Sequence, residues 1–221
     1  CVIIVDGIQN AAHGGIDLTS YDVDGYVISP YKAFSRHGFG LAWISDRLTA
    51  LPLNALDGGP EDNWEMGTRD TGAYATMVDV VDYMDWLGGA LGGGPDRPAK
   101  FRAASEAIHA HETALTDAMI HGTGNLPGLA QLPGVTIIGG ADNPARRGLV
   151  GFVHDGTPSV DIVERLNAAG IRTHLRKADH YSGNILDPLG FDSCIRVSMC
   201  HYNSLAEVRQ FLTVMQDIVG S

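Results

Sequence analysis

Two short segments carry residue types that can do covalent chemistry together. They are Val5-Asp6-Gly7-Ile8-Gln9 and Ile28-Ser29-Pro30-Tyr31-Lys32. Each closes an apolar run of strand type. If the two strands are neighbours, Asp6, Gln9, Ser29 and Lys32 converge at one sheet edge, where open α/β sheets place their ligands. An amine beside a carboxylate, an amide and a hydroxyl is the set that a pyridoxal phosphate site requires. Lys32 would form an aldimine with the cofactor aldehyde. The Asp6 anion would keep the pyridine nitrogen protonated, so that the ring withdraws electrons. Gln9 would donate to the ring phenolate oxygen, and Ser29 and Tyr31 would hold phosphate oxygens. The same spacing also fits a solvated surface lysine after a strand, and the residues alone leave both readings open.

The elements that must position these groups follow from apolar periodicity. Val2–Val5, Gly25–Ser29 and Phe39–Ser45 read as strands of a mainly parallel sheet, the first of them buried on both faces. Thr68–Leu87 reads as a helix, with Tyr74, Met77, Val78, Val81 and Met84 at spacings of three and four and Asp79, Asp82 and Asp85 on the wet face. The Gly/Pro stretch from Gly88 to Pro95 ends it and marks a boundary between domains 1–95 and 96–221. A long helix follows from Pro98 to His121. Strands are expected at Val135–Ile138, Leu149–Val153, Ile171–Leu175 and Cys194–Met199. Between them lies a helix with Thr157 as cap and Pro158 as first residue, stopped at Gly170. Ser204-Leu205-Ala206-Glu207 is a capping box that opens the last helix. The expected fold is α/β, with a smaller α+β unit after the first sheet.

Composition narrows the function classes. The 221 residues hold 15 Lys plus Arg against 26 Asp plus Glu, a net charge of −11, which argues against a nucleic-acid partner. No apolar run approaches the ~18 residues of a membrane span. Three cysteines make no disulfide framework and suggest a reducing, cytoplasmic compartment. The chain opens Cys1-Val2-Ile3-Ile4-Val5-Asp6 with no initiator Met, so a portion of a longer parent is expected. His109 and His111 lie on opposite sides of a helix and do not share one ion easily, so no metal site is expected. A metal-binding protein using His109, His111 or His121 remains a competing class.

The chain resembles the class V aminotransferase superfamily, especially its cysteine desulfurase and isopenicillin N epimerase-like branch. VDGIQNAAHGGIDL (5–18), YVISPYKAFSRHG (26–38), WEMGTRDTGAYA (64–75) and CIRVSMCHYNSLAEV (194–208) carry the resemblance, in the family's order. It implies fold type I of the pyridoxal phosphate enzymes: part of the large cofactor domain, then the small C-terminal α+β domain. It also implies a homodimer with active sites at the subunit interface and a small-molecule amino-acid substrate. By position, Lys32 resembles the aldimine lysine, Asp6 the pyridinium partner and Gln9 the phenolate-side donor, with Ser29 and Tyr31 on the phosphate side. Gly67-Thr68 resembles the pair that reaches the phosphate in the partner subunit, and a helix N-terminus at Thr68 would suit an anion; a plain N-cap fits Thr68 equally. Arg196 resembles the arginine that binds the substrate α-carboxylate. It stands within an apolar run, where a buried guanidinium needs an anion: a substrate or an internal Asp or Glu.

Departures from the family pattern bear on the reaction. Desulfurases carry a nucleophilic Cys in a loop upstream of this arginine, and the matching stretch here, 177–184, has none. A Ser or Tyr hydroxyl does not make a persulfide. Tyr31 replaces a common His, and Ser35-Arg36-His37-Gly38 replaces a Gly-Pro turn, so Arg36 and His37 are either pocket residues or a surface turn. His180 is an acid/base candidate by position only, and His13 reads as structural. Cys194 and Cys200 read as small buried residues. The family's upstream phosphate loop and ring-stacking residue have no counterpart before Cys1, so this chain alone should bind cofactor poorly. The expectation is aminotransferase- or lyase-like chemistry on an amino acid. The alternative is a non-catalytic relative, or an inactive C-terminal fragment of such an enzyme.

Overall fold

The structure is a computed structural model that describes residues 1–54, 56–59, 64, 66–67 and 70–220. They form two compact units, Cys1–Ala107 and Ile108–Ser221.

In the first unit, β1 (Ile4–Asp6) pairs in parallel with β2 (Gly25–Ile28), with Asp6 opposite Val27. β3 (Leu41–Ile44) pairs antiparallel with β2, giving the order β1-β2-β3. The α/β class is the one expected, but the described sheet is mixed rather than mainly parallel. Residues 7–24 make the crossover that parallel pairing requires, whereas the chain after β2 reverses within 29–40 and must return antiparallel. The apolar opening run is not buried on both faces. Ile3 and Ile4 are 47% and 59% exposed, because β1 is the edge strand of this sheet.

Asp24 ties the edge strand down. Its buried carboxylate accepts from the Ile3 amide at 2.9 Å and from Ser45 Oγ at 3.3 Å, and lies 3.6 Å from Arg47 Nε. The Ile3 hydrogen bond is the main reason that this carboxyl titrates below its ordinary value; desolvation opposes it, and Arg47 and Ser45 add to it. A depressed folded-state pKa gives stability that is present above the unfolded value and is lost as pH falls through the folded one. Asp24→Asn should therefore remove part of the stability loss below about pH 4. Urea midpoints measured against pH check this; an identical acid slope in the variant refutes it.

A single turn, α1 (Asp46–Thr49), follows β3. α2 (Thr71–Ala90) starts three residues later than expected, because Asp70 caps it and accepts from the Ala73 amide at 2.9 Å. A carboxylate there meets both a free N–H and the positive end of the helix dipole. Thr68 lies outside the described residues. Tyr74, Met77, Val81 and Met84 of α2 are half-buried, whereas Val78 and Trp86 are 58% and 64% exposed. The glycines after Leu87 serve a close approach. A Cβ on Gly88 would stand 1.9 Å from the Lys100 carbonyl oxygen of α3 (Arg97–His121), so only glycine fits there.

In the second unit, β4 (Val135–Ile137), β5 (Leu149–His154), β6 (His174–Lys177) and β7 (Ser193–Ser198) form an antiparallel sheet in the order β4-β5-β7-β6. Strand alternation sends Val150, Phe152, Ile195 and Val197 to one face. There they pack with α4 (Ser159–Ala168), α6 (Leu205–Val219) and the end of α3, with Phe152 edge-on to Phe211 at 6.3 Å. Each fully buried side chain of this size contributes about 1.5–3 kcal/mol. The Ser204/Glu207 capping box is present as expected. Pro158 is extended (ψ 142°) and precedes α4 instead of opening it, its carbonyl accepting from the Ile162 amide.

β6 begins three residues after the expected Ile171. The Ile171 amide is spent on Leu166 O and the Thr173 amide on Asn167 Oδ1, so these residues finish α4 and cannot join a ladder. α5 (Gly183–Leu189), which contains Pro188, was not expected. No described helix is long and apolar enough to cross a membrane.

Candidate functional site

The carboxyl ends of β1 and β2 lie side by side, as the parallel register demands. Beyond β1, the Gly7 amide still bonds Val27 O at 2.9 Å, and the Asp6 carboxylate accepts from the Ile8 amide at 3.0 Å. The chain then passes directly over the Tyr26 ring. A Cβ on Gly7 would lie 2.1 Å from that ring, so the crossing needs glycine. Tyr26 is buried, and its hydroxyl accepts from Asn10 Nδ2 at 3.4 Å. This crossing delivers Gln9 to the neighbouring strand end.

Beyond β2, Ser29 is extended and Pro30 opens a 3-10 turn over Pro30–Ala33, which its fixed φ favours. The turn raises Lys32 off the sheet edge. Lys32 Nζ donates to Gln9 Oε1 at 3.1 Å, and Gln9 Nε2 lies 3.5 Å from His13 Nε2 of the buried His13. Phe34 closes the turn at φ 70°, the one non-glycine in the left-handed region among the described residues. That conformation costs on the order of 1 kcal/mol. Five of the expected groups, Asp6, Gln9, Ser29, Tyr31 and Lys32, thus occupy one sheet edge. Tyr31 stacks on His37, and Arg36 turns away to Asp70, 3.1 Å apart. Gly67 is exposed. An edge of this kind, without a thiol, can bind a carbonyl compound through the nucleophilic Lys32 amine and steady an aromatic base through the carboxylate.

Arg196 belongs to the second unit. It stands on β7 opposite Gly151 of β5 and His174 of β6. Alternation places it with His174, Arg176 and Cys194 on the sheet face opposite the Phe152 core. Arg196 Nε is buried without a hydrogen-bond partner, and no carboxylate pairs with its guanidinium among the described residues. Burial, then the Arg176 charge, holds Arg196 below its ordinary value. Burial, then Arg196, Arg172 and Arg176, does the same to His174. Such a cluster of like charges suits an anion. The buried Cys194 thiol is pushed up by desolvation despite both arginines.

The 177–184 segment leads into α5. Its Tyr181 is 75% exposed and its Asp179 carboxylate accepts from the Tyr181 and Ser182 amides. His180 is exposed beside Tyr181. His109 meets Arg147, and His111 Nε2 lies 2.9 Å from Asn203 O. Two contributors escaped the sequence reading. Tyr26 looked like one more strand residue, although an aromatic facing a strand-end glycine hints at such a crossing. Arg176 was hidden by the misplaced strand; the alternation His174-Leu175-Arg176 was the available signal.

The family model described as Aminotransferase class-V matches residues 1–75 and 101–211. The chain belongs to the class V aminotransferase family. Among curated proteins, it is 26% identical over 231 residues to a probable cysteine desulfurase 1 of Mycobacterium leprae (strain TN), covering 98% of this chain and 34% of that protein. Among solved structures, the apo cysteine desulfurase of Thermococcus onnurineus NA1 superposes with a TM-score of 0.79 at 22% identity, over 100% of this chain and 53% of that one. A lysine-to-alanine mutant of C-DES with glycine covalently linked to its PLP cofactor superposes with a TM-score of 0.67 at 20% identity, over 98% and 51%. The chain therefore spans about a third to a half of the length of these relatives. The structural likeness supports a fold of the type shared by these class V enzymes.

Proposed function

We propose that this chain carries the lysine and the substrate-carboxylate arginine of a pyridoxal phosphate enzyme that acts on an amino acid. The observation that carries the reading is the Lys32–Gln9 hydrogen bond at 3.1 Å, on the strand edge that also presents Asp6. The donor set fits the group. An amine with one neutral partner is available to a carbonyl, a carboxylate suits a pyridinium, and an amide suits a phenolate. The relative solved with PLP supports the same cofactor.

When bound, the cofactor supplies an electron sink for a carbanion next to the substrate nitrogen. Lys32 would then be the group that moves the α-proton, Asp6 would keep the pyridine nitrogen protonated, and Arg196 would bind the substrate carboxylate. Gly67 and Thr68 serve the partner subunit of a homodimer. The 177–184 segment offers hydroxyls and imidazole but no thiol, which favours transamination or lyase chemistry over persulfide formation.

The test uses the full-length protein with added pyridoxal phosphate. A yellow complex whose absorbance band shifts with particular amino acids is expected. A protein that stays colourless at saturating cofactor refutes the reading and favours a non-catalytic relative.

A further inference from the structure

The turn after Lys32 is clamped on one side and presents a ring on the other. Phe34 reverses the chain, and the Ser35 amide bonds Pro30 O at 3.1 Å. Three contacts then tie the turn to the first two turns of α2. Arg36 pairs with Asp70 at 3.1 Å, Ser35 Oγ meets Thr76 Oγ1 at 2.5 Å, and Phe39 lies edge-on to Tyr74 with centroids 5.4 Å apart. Gly38, at φ 105°, completes the reversal.

With its neighbours so held, His37 lies flat on Tyr31. The ring centroids are 4.0 Å apart and the planes differ by 18°. Both residues are exposed, so core burial does not account for the stack. Tyr31 adjoins Lys32 in sequence, and its ring centroid is 6.0 Å from Lys32 Nζ.

We propose that His37 is a positioning residue for the cofactor phosphate: it holds the Tyr31 ring in place, so that the phenol meets the phosphate already ordered. The inference rests on reading Lys32 and Tyr31 as parts of the cofactor site. A tyrosine free to turn about its side-chain torsions must give up that freedom when it binds an anion. A stacked tyrosine has given it up beforehand, and the difference appears as affinity.

The test titrates the full-length protein with pyridoxal phosphate and, separately, with pyridoxal, which lacks the phosphate. His37→Ala should weaken the phosphorylated compound by about two- to tenfold and leave pyridoxal unchanged. His37→Phe, which keeps a flat ring, should restore the affinity. Tyr31→Ala should lose at least as much, and adding His37→Ala to it should cause no further loss. Unchanged pyridoxal phosphate affinity in His37→Ala, equal weakening of both compounds, or additive losses in the double variant overturns the proposal. Lys32→Ala separates the two possible failures. If that variant still forms the lysine-aldimine band with pyridoxal phosphate and no amino acid present, the site reading itself falls. If that band is lost while His37→Ala binds like the unmodified protein, only the role of His37 falls.

Discussion

Lys32→Ala should leave the full-length protein without the lysine-aldimine absorbance band when mixed with pyridoxal phosphate alone, and lower its amino-acid turnover by about a thousandfold or more. Two losses combine. On the proposed reading, the amine that captures the cofactor aldehyde is gone, and so is the base for the α-proton, which by itself contributes on the order of 10²–10⁴ in rate. Folding should be nearly unaffected. Lys32 is half-buried and makes a single side-chain hydrogen bond, to Gln9, among those described. Thermal unfolding without cofactor checks that point, and absorbance with cofactor checks the chemistry. A solvated surface lysine predicts the opposite result: unchanged colour and unchanged turnover.

Arg196→Lys should lower kcat/KM for the amino-acid substrate by about ten- to a hundredfold, the worth of a charge-assisted hydrogen-bond pair. Lysine keeps the charge but loses the planar fork that grips both carboxylate oxygens. The substrate role and the internal salt-bridge role separate in Arg196→Met. The buried Nε has no hydrogen-bond partner, and no described carboxylate pairs with the guanidinium. Replacing it by an apolar side chain of similar length should therefore leave stability equal or higher while activity collapses. A large fall in the urea midpoint would instead mark Arg196 as a structural partner. Arg176, which shares its sheet face, should then bear part of the carboxylate binding that remains in Arg196→Lys.

The strand ends were legible because a short apolar run followed by a polar strand-end residue and a glycine or proline has few other solutions. Val5-Asp6-Gly7 and Ile28-Ser29-Pro30 both read correctly to within two residues. The same is true of the last helix, where Ser204 and Glu207 satisfy each other's backbone amides locally. Two element boundaries were misplaced where another nearby group in the chain took over a backbone donor. Thr68 seemed the natural cap for α2, yet Asp70 holds the Ala73 amide. Ile171 has strand character, yet its amide closes α4.

The sequence by itself determined the chemistry on offer: an amine, a carboxylate and an amide at two strand ends, a guanidinium within an apolar strand, and no thiol in segment 177–184. These follow from residue type and short-range spacing, which the chain carries wherever it goes. Only the tertiary structure decided that β1 and β2 are parallel neighbours, that Gly7 must cross Tyr26 for Gln9 to reach Lys32, and that Arg196 shares a face with Arg176 and His174. Those outcomes depend on register and on contacts between residues far apart in the chain. A one-residue slip would turn Arg196 into the Phe152 core, and no local preference of the sequence forbids it; packing does.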